Sequence, residues 1–330
     1  MTTAQVQEES NVNSVSSPIR EYSSSMPPTP LVSISIIAYN IARYLPKTLE
    51  SILDQVVDFP IEIVIGEDCS TDETLTIANE YHHKYPHLIR VLPAAKNLGL
   101  TPNFVRTQNA CKGKYIAICD GDDYWTDIYK LAKQIQFLET HHECTGAAHQ
   151  CMVVFEDESE ENHPFGPTKN HFFTLHDLIA HRHFHTSSLV YRKSIWERAG
   201  GIPSNIISNE RALYPILAIY GPIFYSNEKM GVYLRNNFSL SSRISIKDLS
   251  SDLNMIPWIK KLNPTFPYNR FRSFLHLTTY TYANRIQLGD LIKHYLGFAL
   301  YSFSYFPNNL GDLKYGTEKF LKIAFKQQSS

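Results

Sequence analysis

No window of this 330-residue chain approaches the ~20 consecutive apolar residues that a membrane-spanning helix requires. The first thirty residues are rich in Ser, Gln, Glu and Pro and hold no apolar core of signal-peptide length. They read as a disordered tail that ends at Met26-Pro27-Pro28-Thr29-Pro30, because such a composition cannot bury enough apolar surface to fold. An excess of charge of one sign is also missing. The 31 Lys and Arg residues stand against 32 Asp and Glu, a net charge of −1, which leaves no footprint for nucleic acid and no bulk attraction to anionic membranes. The five cysteines, Cys69, Cys111, Cys119, Cys144 and Cys151, are odd in number and form no C-x-x-C pair. That argues against a disulfide framework or a structural zinc and for free thiols in a reducing, cytoplasmic setting. There is no internal repeat.

What is present is an alternating α/β pattern with 43% hydrophobic and 19% charged residues, enough for a sizeable core without special staples. The apolar run Tyr115–Cys119 reads as a buried strand that stops at Asp120-Gly121-Asp122-Asp123, and open α/β sheets place ligands at such strand ends. Three anions at one point repel one another unless they are solvated or share a cation. Their hard oxygens suit Mg²⁺ or Mn²⁺, ions that also bind substrate phosphates. The plainer reading is a polar turn, since Asp-Gly is a common turn dipeptide. Other strands end in the same way. Leu31–Ala38 runs into Tyr39-Asn40, Ile61–Gly66 into Glu67–Glu73, and Ile89–Leu92 precedes Lys96-Asn97-Leu98-Gly99.

Helical spacing of apolar residues predicts helices over 42–57, from a cap at Ser70 or Asp72 through Tyr81, over 103–111, and over 126–140. Strands alternating with helices predict a mainly parallel central sheet flanked by helices. Beyond Cys144 the pattern loosens. Strands are expected over 147–155, 187–192 and 230–234, helices over 194–199 and 210–220, and an acidic hairpin tip over 156–161. From Ile246 the chain reads as helices interrupted by Pro257, Pro264, Pro267 and Pro307. Three parts follow: a tail over 1–30, an α/β domain over 31–245 and a helical C-terminal extension over 246–330.

The segments Ser33–Asn40, Glu67–Thr74, Asn97–Gly99 and Gly113–Trp125, in this order and spacing, resemble the family 2 glycosyltransferases. The resemblance is strong over residues 31–145. It implies a GT-A (Rossmann-like) fold and an inverting, metal-dependent transfer of sugar from a nucleotide-diphosphate donor to a hydroxyl acceptor, in surface polysaccharide or another glycoconjugate. It implies that Tyr39 packs on the base beside Asn40, and that Asp68 accepts a base N–H, consistent with uracil or thymine and hence a UDP-sugar. Glu67 stands where relatives carry aspartate. Asn97 and Gly99 shape the loop under base or ribose, or form a plain turn. Asp120 and Gly121 fall to the ribose or the metal shell, and Asp122 and Asp123 to the Mg²⁺ or Mn²⁺ environment. Glu210 matches the catalytic base, although a first-turn glutamate is also favoured by the helix dipole; Glu228 is its rival. Relatives commonly carry His or Arg just after the tyrosine matched by Tyr233. Here Leu234-Arg235-Asn236 follows, which offers Arg235 to the diphosphate and no obvious third metal ligand.

The implied partners are the nucleotide-sugar donor and a sugar or lipid-linked glycan acceptor, with no nucleic acid. His181-Arg182-His183-Phe184-His185 offers alternating imidazoles but no cysteine or carboxylate to complete a zinc set. Its neighbours Thr186-Ser187-Ser188 fit the lining of an acceptor cleft. The aromatic, apolar stretch 291–306 reads as a helix packed on the catalytic domain, or as one resting peripherally on the inner face of a membrane. Two other functions fit parts of the pattern. One is a non-catalytic nucleotide-sugar-binding module. The other, a nucleotidyltransferase, normally needs a glycine-rich loop where Ala38-Tyr39-Asn40-Ile41 stands.

Overall fold

The computed structural model describes residues 17–21, 29–236, 244–283, 286–305 and 310–328. Most of the expected tail, together with Pro307, lies outside them. The strands are β1 (Ser17–Pro18), β2 (Val32–Ala38), β3 (Val56–Val57), β4 (Ile61–Glu67), β5 (Ile89–Pro93), β6 (Tyr115–Ile118), β7 (Tyr124–Trp125), β8 (Gly146–Phe155), β9 (His163–Phe165), β10 (His171–Phe173), β11 (Val190–Arg192) and β12 (Ile223–Arg235). The helices are α1 (Leu45–Leu53), α2 (Thr74–Lys84), α3 (Leu100–Ala110), α4 (Lys130–Thr140), α5 (Leu175–Leu178), α6 (Lys193–Ala199), α7 (Asn209–Tyr220), α8 (Ile246–Ser250), α9 (Met255–Leu262), α10 (Tyr268–Tyr282), α11 (Leu288–Ser302) and α12 (Leu310–Gln328).

Four parallel strands in the order β5-β4-β2-β6 form the N-terminal half of the main sheet. Their β-branched runs are buried almost throughout, as strands covered by helices on both faces must be. On one face Leu45, Leu49 and Ile52 of α1 pack with Leu131, Ile135 and Leu138 of α4. On the other, Phe104 of α3 packs with Trp196, Leu213 and Leu217. Chain order and spatial order diverge between β2 and β6, the kind of switch point beyond whose C-terminal ends open α/β sheets bind ligands. Both D-x-D-D and Tyr39-Asn40 sit at that point.

The second half of the sheet is mixed. β11 lies antiparallel between β6 and β8, β8 runs parallel to β12, and β10, β7 and β9 pair antiparallel at the edges. The short strand expected over 230–234 is only the end of a 13-residue strand. The polar stretch Ser226–Lys229 hid its first part, because the register against β8 shifts there. The helix expected from Thr126 starts at Lys130. Tyr124 and Trp125 pair with β12, and the Asp127 carboxylate accepts from Tyr129 N in a turn. Part of the expected tail is ordered too: β1 pairs with β3, Ile19 is fully buried, and Arg20 bonds Glu50 and Asp54 of the α1 region.

The C-terminal helices are not a free appendage. Met255, Ile256, Ile259, Phe271 and Leu275 belong to the same core as α7, and only α10–α12 build a small core of their own around Tyr280, Leu291 and Phe298. Glycine permits that packing. A Cβ on Gly316 would lie 2.3 Å from the Phe298 ring, and one on Gly297 2.7 Å from His276.

Candidate active site

At the β4 end, Glu67 is fully buried and its two carboxylate oxygens accept from Ser70 N at 2.7 Å and Cys69 N at 3.2 Å. Asp68 accepts from Leu98 N at 2.8 Å and Gly99 N at 2.9 Å, while Asn97 Nδ2 donates to its carbonyl. Gly99, at φ 92°, enters α3 in a conformation that a Cβ would resist. Asn40, also left-handed at φ 53°, accepts from Thr71 N at 2.8 Å and ties the β2 end to the loop after β4. The structure thus brings Asn40, Glu67, Asp68, Asn97 and Gly99 into one bonded platform. Tyr39 follows β2 at the rim of this platform and is 46% exposed.

The loop after β6 is clamped from below. Thr48 Oγ1 of α1 meets the carbonyls of Gly121 (2.9 Å) and Asp123 (2.7 Å), and Ser51 Oγ accepts from Trp125 N. Gly121 is obligatory here: a Cβ would come within 2.2 Å of Ile41 and 2.9 Å of the Ile37 carbonyl. Gly121 therefore acts by letting the loop press onto β2. Asp123 is buried, and both of its oxygens are engaged. Oδ2 meets Ser187 Oγ at 2.5 Å and lies 3.2 Å from His185 Nδ1, while Oδ1 accepts from Leu234 N at 2.9 Å. Asp122 is half-buried and accepts from Asn236 Nδ2 at 3.0 Å. Asp120 is half-buried as well, and its backbone N–H donates to Ser187 Oγ.

These carboxylates pay for their crowding in acidity. Burial, the charge of Asp122 and then that of Glu210 push Asp120 up to about 7, against the pull of Arg182. Burial raises Asp122 as well, with Asn236 opposing. Asp123 is driven well up by burial and by both neighbours. Burial and the nearby Arg182 hold His185 well below its usual value, so its imidazole is neutral. Among the described residues, Asp120, Asp123 and His185 form the one group of three whose ligand atoms lie within 4.8 Å of one another. Carboxylates held in this strained state with few donors suit a hard divalent cation.

The opposite wall was only partly visible in the sequence. Glu210 lies in the first turn of α7, half-buried, where its charge reaches Asp120, Arg182 and Tyr214. The helix start is held by Asp252 of the C-terminal region, whose carboxylate accepts from Ile207 N and Ser208 N and pairs with Arg211 at 2.9 Å. Arg182 was passed over. Its guanidinium lies over the rings of Phe165 and Tyr233 at 5.5 and 5.8 Å. Arg182 is exposed by surface area; crowding by the surrounding protein works against its charge and is outweighed by Glu210, Tyr214, Tyr233 and Asp120. Arg235 donates to Tyr233 Oη at 2.9 Å, and His185 stacks on the same ring at 3.9 Å. The signal for Arg182 was in the His-Arg-His-Phe-His segment, which is irregular rather than a strand. His181 approaches Asp312 at 3.8 Å, His183 stacks on Phe173, and only His185 turns toward the carboxylates. Glu228 lies elsewhere, bonded to Lys133 of α4.

The model of glycosyl transferase family 2 matches residues 33–198. The chain belongs to this family. An uncharacterized protein of Mycobacterium tuberculosis is 35% identical over 206 residues, covering 62% of this chain and 59% of that one. The Escherichia coli enzyme WfaP, a UDP-Glc:alpha-D-GlcNAc-diphosphoundecaprenol beta-1,3-glucosyltransferase, is 38% identical over 115 residues, 33% of this chain and 42% of WfaP. The chain thus spans less than two thirds of the curated relatives it matches. Among solved structures, S. aureus TarS 1–349 in complex with UDP-GlcNAc superposes with a TM-score of 0.64 at 18% identity over 88% of both chains. The Pyrobaculum calidifontis mannosyltransferase PcManGT, in complex with GDP-Man and Mn²⁺, gives 0.56 at 16% identity over 92% of this chain and 83% of that one. These likenesses establish the GT-A-like fold of this family 2 member.

Proposed function

We propose that this family 2 member is an inverting glycosyltransferase that moves a sugar from a nucleotide-diphosphate donor, a UDP-sugar, to a hydroxyl of a sugar or lipid-linked glycan in polysaccharide or glycoconjugate assembly. One observation carries the reading: Asp120, Asp123 and His185 bring their ligand atoms within 4.8 Å of one another beyond the end of β6, with Arg182 and Glu210 near enough to act on the charge of Asp120. A donor end, an anion-binding cation and a base candidate therefore face one crevice.

The residues take these roles. Tyr39 stacks on the base, and Asp68, whose oxygens keep lone pairs beyond those met by Leu98 and Gly99, accepts a base N–H. Asn40, Glu67, Asn97 and Gly99 hold that platform. Asp122 and Asp120 would hold Mg²⁺ or Mn²⁺. Asp123, whose ligand atoms lie with those of Asp120 and His185 within 4.8 Å, also accepts from Ser187 and the Leu234 N–H and so braces the loop at the ion's expected place. When bound, the ion neutralises the developing charge of the leaving diphosphate. Arg182 and Arg235, spaced around Tyr233, are the chain's own cations for the same phosphates. Glu210 takes the proton from the acceptor hydroxyl.

The deciding measurement is calorimetric titration of UDP, dTDP, GDP and CDP, with Mn²⁺ or with chelator, into wild type and Asp122→Ala. Mn²⁺-dependent binding of UDP that is lost in the variant is expected. Binding of no diphosphate would remove the donor-site reading. Binding without turnover of any UDP-sugar would leave a non-catalytic nucleotide-sugar-binding module.

A further inference from the structure

The outer face of α11 carries an unbroken apolar ridge. Leu288, Ile292, Leu296, Leu300 and then Phe303 recur at intervals of four, four, four and three residues, each between 41 and 67% exposed. At a rise of ~1.5 Å per residue the ridge is roughly 22 Å long. The inner face of the same helix is buried: Leu291, His294 and Phe298 pack inward onto α10 and α12. Exposed apolar side chains are ordinary singly, but a continuous line of this kind marks a docking face. α12 adds Leu310, Tyr315, Leu321 and Phe325, all exposed.

We infer that this face rests on an anionic lipid surface, with α11 lying in the plane of the interface. No helix among the described residues is long and apolar enough to cross a membrane, so the helix would lie on the bilayer rather than span it. Charge selects the occupant. The described charged side chains of α11 and α12 are Lys293, Lys314, Lys319 and Lys322 against Asp290, Asp312 and Glu318; of these Lys293, Lys314, Lys322 and Glu318 are exposed, while Asp312 faces His181. A local excess of lysine attracts anionic headgroups and opposes a second copy of the same face. The long lysine stems can lie along the ridge while their ammonium groups reach the headgroups, and exposed Tyr282 and Tyr315 suit the same boundary. The same helical region touches the segment that carries Arg182. Asp312 at the start of α12 lies 3.8 Å from His181, next in sequence to Arg182. A lipid-linked acceptor could then reach the crevice from the bilayer. That last link rests on the glycosyl-transfer reading; the docking itself does not.

The test is vesicle flotation of the full chain on phosphatidylcholine alone and on phosphatidylcholine with phosphatidylglycerol, comparing wild type with L296E/L300E. Both changes are at exposed positions, and unchanged thermal melting and unchanged UDP binding would verify the variant's fold. Wild type is expected to float with the anionic vesicles, and the variant to lose at least ~10-fold in partitioning, as the removal of two leucines from an interface implies. Failure of wild type to float, or equal flotation of the variant, overturns the inference. So does a wild-type dimer in light scattering that the variant converts to monomer with no vesicle binding, because the ridge would then belong to a second copy. UDP binding is read separately, so loss of the donor reading and loss of the docking face are distinguishable.

Discussion

Two acidic clusters end strands on either side of β2 in the same sheet, and they are wired in opposite ways. At the end of β4, the four carboxylate oxygens of Glu67 and Asp68 each accept from a backbone N–H within 3.2 Å. After β6, Asp120, Asp122 and Asp123 share Ser187 and Asn236 as side-chain donors, with a backbone N–H at Asp123 and Asp122's own N–H at Asp122, and all three carboxyls are pushed upward in pKa. Buried charge without enough donors costs several kcal/mol. In the first cluster Glu67 is closed on the protein and shapes a loop, while Asp68, donor-satisfied as well, keeps lone pairs for the proposed base contact. The second is destabilised when ionised in the free protein, and uptake of a proton or of the proposed cation relieves it. Carboxylates at strand ends of one sheet are thus satisfied by backbone donors in one cluster and left short of donors in the other.

The comparison breaks most decisively at Asp122. Asp122→Ala is expected to lower sugar transfer by about 10³-fold, the scale seen when a preorganised electrostatic contact to a developing charge is removed. Its melting temperature should hold or rise, since a destabilised carboxylate has gone. Release of nucleoside diphosphate and thermal melting measure the two effects. A loss of stability without loss of turnover would make the second cluster structural like the first. Metal linkage comes next. Mn²⁺ at one hundred times its dissociation constant should stabilise wild type by about 2.7 kcal/mol, reversibly with chelator. The effect should be absent in Asp122→Ala and intact in Glu67→Gln. Equal stabilisation of both variants would place the ion elsewhere.

Glu67→Gln probes the closed cluster. A glutamine can present an acceptor to only one of Ser70 N and Cys69 N and turns its NH₂ toward the other. The expected cost is about 1–3 kcal/mol in urea unfolding, with transfer by the folded fraction within ~10-fold of wild type. Should the variant keep wild-type stability and lose turnover, Glu67 would have to touch the donor.

The contrast was half legible in the sequence. β2, β4 and β6 could be read because parallel strands buried on both faces are short, continuous apolar runs, and the polar residues that end them follow immediately. The wiring could not be read. Whether Asp68 meets Gly99 N, or Asp123 meets Leu234 N, depends on loops 31 and 111 residues away. Arg182 escaped for the same reason. It sits in an irregular segment whose value comes from Phe165, Tyr233 and Glu210 arriving from other elements. The first part of β12 was hidden by polar residues at a register shift. Ile19 was hidden by the polar composition around it, although one buried isoleucine and two β1–β3 pairs suffice to dock residues 17–21. The helices after Ile246 were visible as helices, but Asp252 holding the start of α7 was not, because its partners, Ile207, Ser208 and Arg211, lie more than forty residues earlier.

The finest test of the comparison is Asn236, a side-chain donor to Asp122. A single amide at 3.0 Å cannot neutralise a carboxylate, but it fixes which oxygen faces the protein and which faces the crevice. Residues that orient a ligand in this way typically contribute 10–100-fold to metal affinity. Asn236→Ala should therefore weaken Mn²⁺ by about tenfold while UDP binding in chelator is unchanged. Asn236→Asp should be worse for the free protein, because a fourth carboxylate joins a cluster that already lacks donors, and its stability should recover more on adding Mn²⁺ than that of wild type. A closed cluster would show neither response, so calorimetry with the two variants separates an oriented metal carboxylate from one that merely fills space.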